Sequence, residues 1–159
     1  MKLKSGDLST VIPVCGKNEK LYRYFSSLKP AKEVTFKPYG FAEDIFNLHA
    51  AADIFCGKSG NILAEATFFG NPTIVTNCTH MIERQIADHY INTVGCAVKQ
   101  LSPNKVVKLI KQFYANPSLL DTYKQAALDY HGNFGSEQAA DELFQAILSV
   151  YPDLTLDTE

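Results

Sequence analysis

The residues with the clearest chemical potential lie in one short stretch, residues 53–72, with the sequence DIFCGKSGNILAEATFFGNP. A short apolar run leads into a turn with two glycines, and such a turn folds tightly and exposes backbone N–H groups. A helix starting after Gly60 presents unpaired N–H groups and the positive end of its dipole, which favour an anion such as a phosphate. Glu65 follows about one helical turn later, where its carboxylate is able to accept hydrogen bonds from the two hydroxyls of a ribose. The stretch therefore predicts nucleotide binding.

The triplet of Gly57, Lys58 and Ser59 also resembles the end of a P-loop. A P-loop requires a further glycine five residues before its final Gly-Lys-Ser, and that position is Ala52, which also lies ahead of the strand. We therefore exclude a P-loop ATPase or GTPase. The remaining alternative to a phosphate site is a plain strand-to-helix turn.

Glu65 has a second interpretation as a solvated helix carboxylate. Its neighbours Leu63, Phe68 and Phe69 are apolar, which predicts a largely buried helix. A carboxylate on a buried helix is costly unless it is paired or near a rim. This cost favours the functional interpretation of Glu65.

Two further polar side chains, Glu83 and Gln85, come just after the fourth predicted strand. Groups that accept and donate hydrogen bonds at the carboxyl end of a strand suit the recognition of sugar hydroxyls. The alternative is a solvated helix start. Lys17 and Asn18 follow the first strand, and for them helix capping is favoured over a phosphate contact.

The elements that must position these residues alternate between strands and helices joined by short loops. This alternation predicts a doubly wound, Rossmann-like α/β fold with a parallel sheet, followed by a helical C-terminal segment. Ligands bind such sheets at the carboxyl ends of the strands, where the predicted site residues lie. The predicted strands are residues 11–15, 34–37, 53–56, 72–76 and 95–98, and the predicted helices are residues 19–28, 43–52, 62–69, 83–90, 103–114, 118–130 and 136–150.

The composition is that of one ordinary globular domain, predicted over residues 1–151 with a loose tail at 152–159. Of the 159 residues, 46% are hydrophobic, and the formal net charge of −2 gives no general attraction to nucleic acid. There is no signal-peptide pattern and no apolar run of membrane-spanning length, so we expect a cytoplasmic chain. The four cysteines lack metal-ligand spacing and are expected to be buried, reduced thiols, and the four histidines are scattered, so no metal site is predicted.

The ordered set of motifs in the first half of the chain resembles the C-terminal, donor-binding domain of family 28 glycosyltransferases. This group includes monogalactosyldiacylglycerol synthases, diacylglycerol glucosyltransferases and the peptidoglycan GlcNAc transferase. The opening VCGKNEKL, residues 14–21, is most similar to the diacylglycerol branch. The segments that carry the resemblance are residues 14–18 (VCGKN), 39–45 (YGFAEDI), 50–53 (AAAD) and 57–72 (GKSGNILAEATFFGNP).

The resemblance implies half of a GT-B fold that binds a UDP-sugar, with no further cofactor. The backbone at Phe41 and Ala42 would read the uracil. The residues implied at the diphosphate are Ser59, Gly60 and Asn61. Glu65 would bind the ribose, and the residues implied at the donor sugar are Glu83 and Gln85. The implied reaction is inverting transfer of a hexose to a lipid acceptor such as diacylglycerol, without a covalent intermediate or an obligatory metal.

The chain departs from the family pattern in two places. One residue is missing between Lys58 and Glu65, with Ile62 at the expected Thr or Ser. The family also has an earlier strand with a glycine-rich loop, and only ten residues precede Val11 here. That strand would lie between the first and third strands of this chain, which must pair directly or leave a defect that favours self-association.

The family's acceptor-binding N-terminal domain, which carries its general base, is not part of this sequence. We therefore expect no catalytic residue in the chain, little activity from it alone, and a partner domain or subunit that supplies the lipid acceptor and contacts the membrane. The alternative function is a non-catalytic docking subunit of a two-chain glycosyltransferase. A sugar-nucleotide epimerase is a weaker third interpretation, because the catalytic acids and histidine it needs are not found together.

Overall fold

A computed structural model of the chain describes residues 9–29, 34–131 and 135–150. The chain divides into two compact units, Met1–Leu48 (unit 1) and His49–Glu159 (unit 2). The single donor-binding domain over residues 1–151 stays a prediction. The tail predicted at 152–159 lies outside the described residues.

The strands form two parallel sheets, one of β1 and β2 and one in the order β3-β4-β5. This parallel α/β arrangement confirms the predicted fold class. The direct pairing of the first and third strands, one of the two predicted alternatives, is not among the ladders of the described residues. The strands are β1 (Ser9–Val11), β2 (Val34–Phe36), β3 (Phe55–Lys58), β4 (Thr73–Asn77) and β5 (Ala97–Lys99).

The helices follow the predicted order, with starts and ends shifted by a few residues at most. One segment differs in kind, because α4 continues into a π-helix, His89–Val94, that ends at Gly95 with φ +79°. Within the described residues, no helix has the length and apolarity needed to cross a membrane. The helices are α1 (Glu19–Ser27), α2 (Ile45–Ala51), α3 (Asn61–Phe68), α4 (Met81–Asp88), α5 (Pro103–Ala115), α6 (Pro117–Asp129) and α7 (Ser136–Val150).

In unit 1, β1 is shorter than the predicted strand at residues 11–15. Pro13 has no N–H to donate to a ladder, so regular pairing stops at Val11 and returns as a single bridge between Val14 and Tyr39. Asn18 caps α1, because its Oδ1 accepts a hydrogen bond of 3.0 Å from the N–H of Leu21. The capping interpretation of Asn18 is therefore confirmed.

In unit 2, α3 packs on β3 and β4, and its outer side meets α6. The helix ends in a Schellman motif, in which the N–H of Gly70 donates to Thr67 and the N–H of Asn71 donates to Ala66. Gly70 has φ +73°, a conformation that a residue with a Cβ rarely adopts. The core of the unit is a cluster of small and apolar side chains: Leu63, Val75, Cys78, Ala87, Tyr90, Cys96, Ala97 and Ala127.

The cysteine prediction is right for three thiols and wrong for one. Cys15, Cys78 and Cys96 are buried, and all four cysteines are free. Cys56 is exposed, because side chains along β3 alternate between a half-buried and an exposed face and Cys56 falls on the exposed one.

Candidate functional site

The turn between β3 and α3 in unit 2 presents bare backbone. Gly60 precedes the helix with φ +151° and ψ −161°, a combination open almost only to glycine. A Cβ added at Gly60 would meet no atom within 4 Å, so the space beside this backbone is open. An anion is therefore able to approach the main chain closely at this point.

At the start of α3, the N–H of Leu63 donates to the carbonyl of Gly60 at 2.9 Å, which leaves the N–H groups of Asn61 and Ile62 for a ligand. No side chain caps the helix, and its first turn contains no acidic residue that would compete with an anion. Asn61, the first helical residue, is exposed. Gly60 and Asn61 thus lie at an open helix start, and the phosphate site at Ser59, Gly60 and Asn61 stays a prediction.

Ser59 is fixed at the carboxyl end of β3 by a hydrogen bond to the neighbouring strand. Its N–H donates to the carbonyl of Asn77 at 2.9 Å, and the residue is only 2% exposed. Its Oγ is buried without a hydrogen-bond partner. A phosphate oxygen reaches this hydroxyl only if the turn shifts, whereas the N–H groups of the helix start are available directly.

Glu65 lies four residues into α3, about 6 Å along the axis from Asn61. Its side chain is 34% exposed, which places the carboxylate at the rim that the sequence predicted. On the protein side, Oε2 of Glu65 lies 3.9 Å from Nε2 of His49. Glu65 therefore has one oxygen near a buried imidazole and solvent on its other side.

His49 is a site residue that the sequence motifs did not indicate. It lies in the last turn of α2, is 3% exposed, and lies between the rings of Phe55 and Phe69, with centroid distances of 5.4 and 6.1 Å. Its Nδ1 lies 3.2 Å from Oδ1 of Asn71. The available signal was its place on the apolar face of α2, because a histidine buried there needs polar partners.

Glu83 is held firmly at the start of α4. Its Oε2 accepts hydrogen bonds from the N–H groups of Thr79 (2.9 Å) and His80 (3.3 Å), and its Oε1 lies 2.5 Å from Nζ of Lys58. The Lys58 hydrogen bond, more than the two backbone N–H groups, lowers the pKa of Glu83 to about 2, against the opposing effect of desolvation. The carboxylate is thus ionised and occupied with protein partners, whereas Gln85 on the same helix is exposed.

Lys58 is the second residue that the sequence analysis missed as a site residue. The parallel register places Lys58 beside Asn77, so both lie at the carboxyl ends of their strands. Its side chain is 55% exposed although its ammonium group pairs with Glu83. Lys58 therefore brings positive charge to the strand ends that carry the bare turn.

Unit 1 holds the two remaining predicted residues, Phe41 and Ala42. Phe41 is 64% exposed, and Nζ of Lys17 lies 5.6 Å from the centre of its ring. The ring lines an open concavity of about 610 Å³ together with Tyr22 and Tyr39. Aromatic rings beside a cation are a surface on which a planar base can stack.

The predicted site residues are therefore placed in two groups. Unit 2 brings together the turn, the start of α3, Glu65 and Glu83, and unit 1 carries Phe41 and Ala42. Among the described residues, no three His, Cys, Asp or Glu side chains are arranged to hold a metal ion.

The sequence also matches a known family over most of its length. The family model described as Glycosyl transferases group 1 matches residues 2–129. The chain belongs to this family. Family 28, which the motifs resemble more specifically, is a finer assignment than this match supports.

The fold of this glycosyl transferase group 1 chain is similar to that of a solved glycosyltransferase, described as the glycotransferase of kitacinnamycin. The TM-score is 0.58 at 15% sequence identity, and the match covers 91% of this chain and 45% of the solved one. The likeness shows a Rossmann-like fold of the GT-B kind. No curated protein matches the sequence.

Proposed function

We propose that the chain is the donor-binding part of a hexosyltransferase and that unit 2 binds the ribose and diphosphate of a UDP-sugar. The observation that carries the proposal is the open start of α3, with bare Gly60 before it and Glu65 one turn along. A ribose and the diphosphate attached to it are separated by a few ångströms, which is comparable with the ~6 Å of helix between Asn61 and Glu65. One short helix thus offers donors to the anion and a carboxylate to the hydroxyls.

The charges around this helix support the same assignment. Lys58 is more than half exposed and lies at the strand end that leads into the turn. An ammonium group has three N–H donors, so Lys58 is able to keep its contact with Glu83 and donate to a diphosphate oxygen as well. Its charge would be most effective for a ligand with two phosphates.

Unit 1, taken by itself, presents a surface that suits a nucleobase. The concavity beside Phe41 combines three aromatic rings with the Lys17 cation, and the backbone at Phe41 and Ala42 is where the resemblance implies uracil recognition. Stacking on exposed rings tolerates any base, whereas main-chain hydrogen bonds select its edge. We include a preference for uracil in the proposal on this basis.

The proposed reaction is transfer of a hexose from the UDP-sugar to an acceptor, a lipid such as diacylglycerol by the resemblance to family 28. The chain spans about 45% of the length of the solved glycosyltransferase that it matches. The acceptor site and the general base would belong to a partner domain or subunit, so the chain alone would bind the donor and turn over little.

Calorimetric titration with UDP tests the proposal, with ADP as the matched control for base recognition and Glu65→Ala as the site variant. We expect saturable binding of UDP that exceeds that of ADP, and a loss of about tenfold or more in Glu65→Ala, because charge-assisted hydrogen bonds to two hydroxyls are removed. A folded chain that binds neither nucleotide would overturn the proposal and favour the docking-subunit function. Unfolding curves of both proteins establish that the variant is folded.

A further inference from the structure

His49 and Glu65 form a pair that the proposed function does not by itself require. Nε2 of His49 is buried, has no hydrogen-bond partner, and lies 3.9 Å from Oε2 of Glu65. A buried polar nitrogen without a partner is costly, so its placement beside a carboxylate calls for an explanation. A rotation of the Glu65 side chain, which is one-third exposed, is required to bring the two atoms within hydrogen-bond distance.

The other side of the imidazole fixes where its protons are. Nδ2 of Asn71 donates to the carbonyl of Ala52 at 2.8 Å, so Oδ1 of Asn71 is the atom that faces Nδ1 of His49. Nδ1 must therefore carry a proton and donate it to Asn71. Nε2 then carries a proton only in the imidazolium form, and in that form it donates to Glu65.

We propose that His49 is a positioning residue that, as an imidazolium anchored by Asn71, holds one oxygen of Glu65 and so turns the other toward the ribose hydroxyls. The proposal rests on the assignment of Glu65 to the ribose. The imidazole suits this role because its ring is fixed between Phe55 and Phe69 and it is almost fully buried. A carboxylate held in one orientation loses less side-chain entropy when the ligand binds.

Two variants of His49 separate positioning from packing. The amide of a Gln side chain lies at the distance of Nε2 from the backbone, and the amide of an Asn side chain lies at the distance of Nδ1. His49→Gln therefore keeps a donor toward Glu65, whereas His49→Asn keeps only the contact with Asn71. Both variants lose the ring, so a purely structural role predicts the same change for both.

The readout is the ratio of the dissociation constants for 2′,3′-dideoxy-UDP and UDP, measured by calorimetry on the full chain. This ratio isolates recognition of the ribose hydroxyls, because the base and the diphosphate are common to both ligands. We expect a ratio of about tenfold or more for the wild type and for His49→Gln, a several-fold smaller ratio for His49→Asn, and a ratio near one for Glu65→Ala. Thermal unfolding of each variant shows whether it is folded.

The pH dependence of the same ratio gives a second readout. The groups that face the imidazole are Glu65 from α3, Phe55 from β3, and Phe69 and Asn71 after α3, and Glu65 is the one charged group among them. We expect the wild-type ratio to change with pH and the His49→Gln ratio to stay constant, because the amide that replaces the imidazole does not titrate. The titration of the diphosphate cancels between the two ligands.

The outcomes distinguish the two proposals. A wild type that binds UDP and dideoxy-UDP equally, or binds neither, overturns the ribose assignment of Glu65. A wild type that discriminates, together with a folded His49→Asn variant that discriminates equally well, overturns the role of His49 and leaves Glu65 in place. If His49→Gln and His49→Asn lose discrimination to the same extent, the role of His49 is packing.

Discussion

Lys58 and Glu83 form an ion pair of 2.5 Å between the end of β3 and the start of α4. The pair exists because β3 and β4 are parallel neighbours, so the residue that ends one strand meets the helix that follows the other. Glu83 also accepts hydrogen bonds from two N–H groups before α4, so the pair joins a helix start to the turn proposed to bind phosphate. The Lys58–Glu83 ion pair therefore contributes both to the charge at the candidate site and to the stability of the fold.

The first prediction concerns acid stability. The pKa of Glu83 is lowered from 4.5 to about 2 in the folded chain, so between these pH values the unfolded chain binds more protons. The stabilisation by Glu83 is complete above about pH 4.5 and is lost as the pH falls toward 2. We expect the melting temperature of the wild type to fall more steeply over this window than that of Glu83→Gln.

Glu19→Gln is the matched control for that experiment. Glu19 pairs with Arg23 on α1, where both side chains are about 80% exposed, and an exposed i,i+4 pair contributes little. Its acid profile should follow that of the wild type. Parallel profiles for Glu83→Gln and the wild type would show that the ion pair has no part in the acid response.

The second prediction concerns the charge at the turn. Lys58→Met should weaken UDP binding by about threefold to thirtyfold while leaving uridine binding unchanged, because the ammonium group acts on the diphosphate. Lys99→Met, an exposed lysine at the end of β5, is the matched control and should bind UDP as the wild type does. An equal loss for uridine and UDP in Lys58→Met would mean that the lysine supports the fold and not the phosphate contact.

The third prediction concerns Gly60. Alanine at φ +151° and ψ −161° is strained whatever space surrounds it, so Gly60→Ala should lower the free energy of unfolding by about 1–3 kcal/mol. Urea denaturation measures the change. Gly40→Ala is the control, because Gly40 has no positive φ and a Cβ there meets only one atom at an ordinary 3.9 Å. An equal free energy of unfolding for the two variants would contradict the backbone conformation of Gly60.

The fourth prediction concerns the exposed ring in unit 1. Phe41→Ala should leave the melting temperature almost unchanged, because the ring is 64% exposed, and should weaken UDP binding by several-fold through loss of stacking. Tyr24→Ala, which removes another exposed ring from α1, should change neither binding nor the preference for UDP over ADP. Unchanged UDP affinity in Phe41→Ala would show that the base does not bind at this surface.

Much of the fold follows from local chemistry that the sequence displays. The helix start after Gly60 and the stop at Gly70 were predictable because glycine alone suits those backbone angles. β1 ends at Val11 because Pro13 has no backbone N–H to donate. The apolar pattern of residues 11–15 did not reveal this early end. The π-helix at His89–Val94 was not predictable, because its hydrogen bonds skip one residue further than in an α-helix and no side-chain pattern marks them.

The candidate site was predictable residue by residue only where the backbone defines it. Gly60 and Glu65 follow from spacing along one helix. His49 and Lys58 depend on pairings between elements, one with Glu65 and one with Glu83, and such pairings arise only when the elements pack. Glu83 was predicted as a sugar contact, and the structure adds its hydrogen bonds to the start of α4 and its pairing with Lys58.

The most direct measurement is an NMR titration of the ¹⁵N-labelled full chain with UDP, following the backbone amide signals. We expect saturable shifts that are largest at Gly60, Asn61 and Ile62, and we expect Glu65→Ala to need about tenfold or more UDP to reach the same shifts. Saturable shifts centred elsewhere in the chain, with the start of α3 unaffected, would contradict the assignment of this helix to the nucleotide.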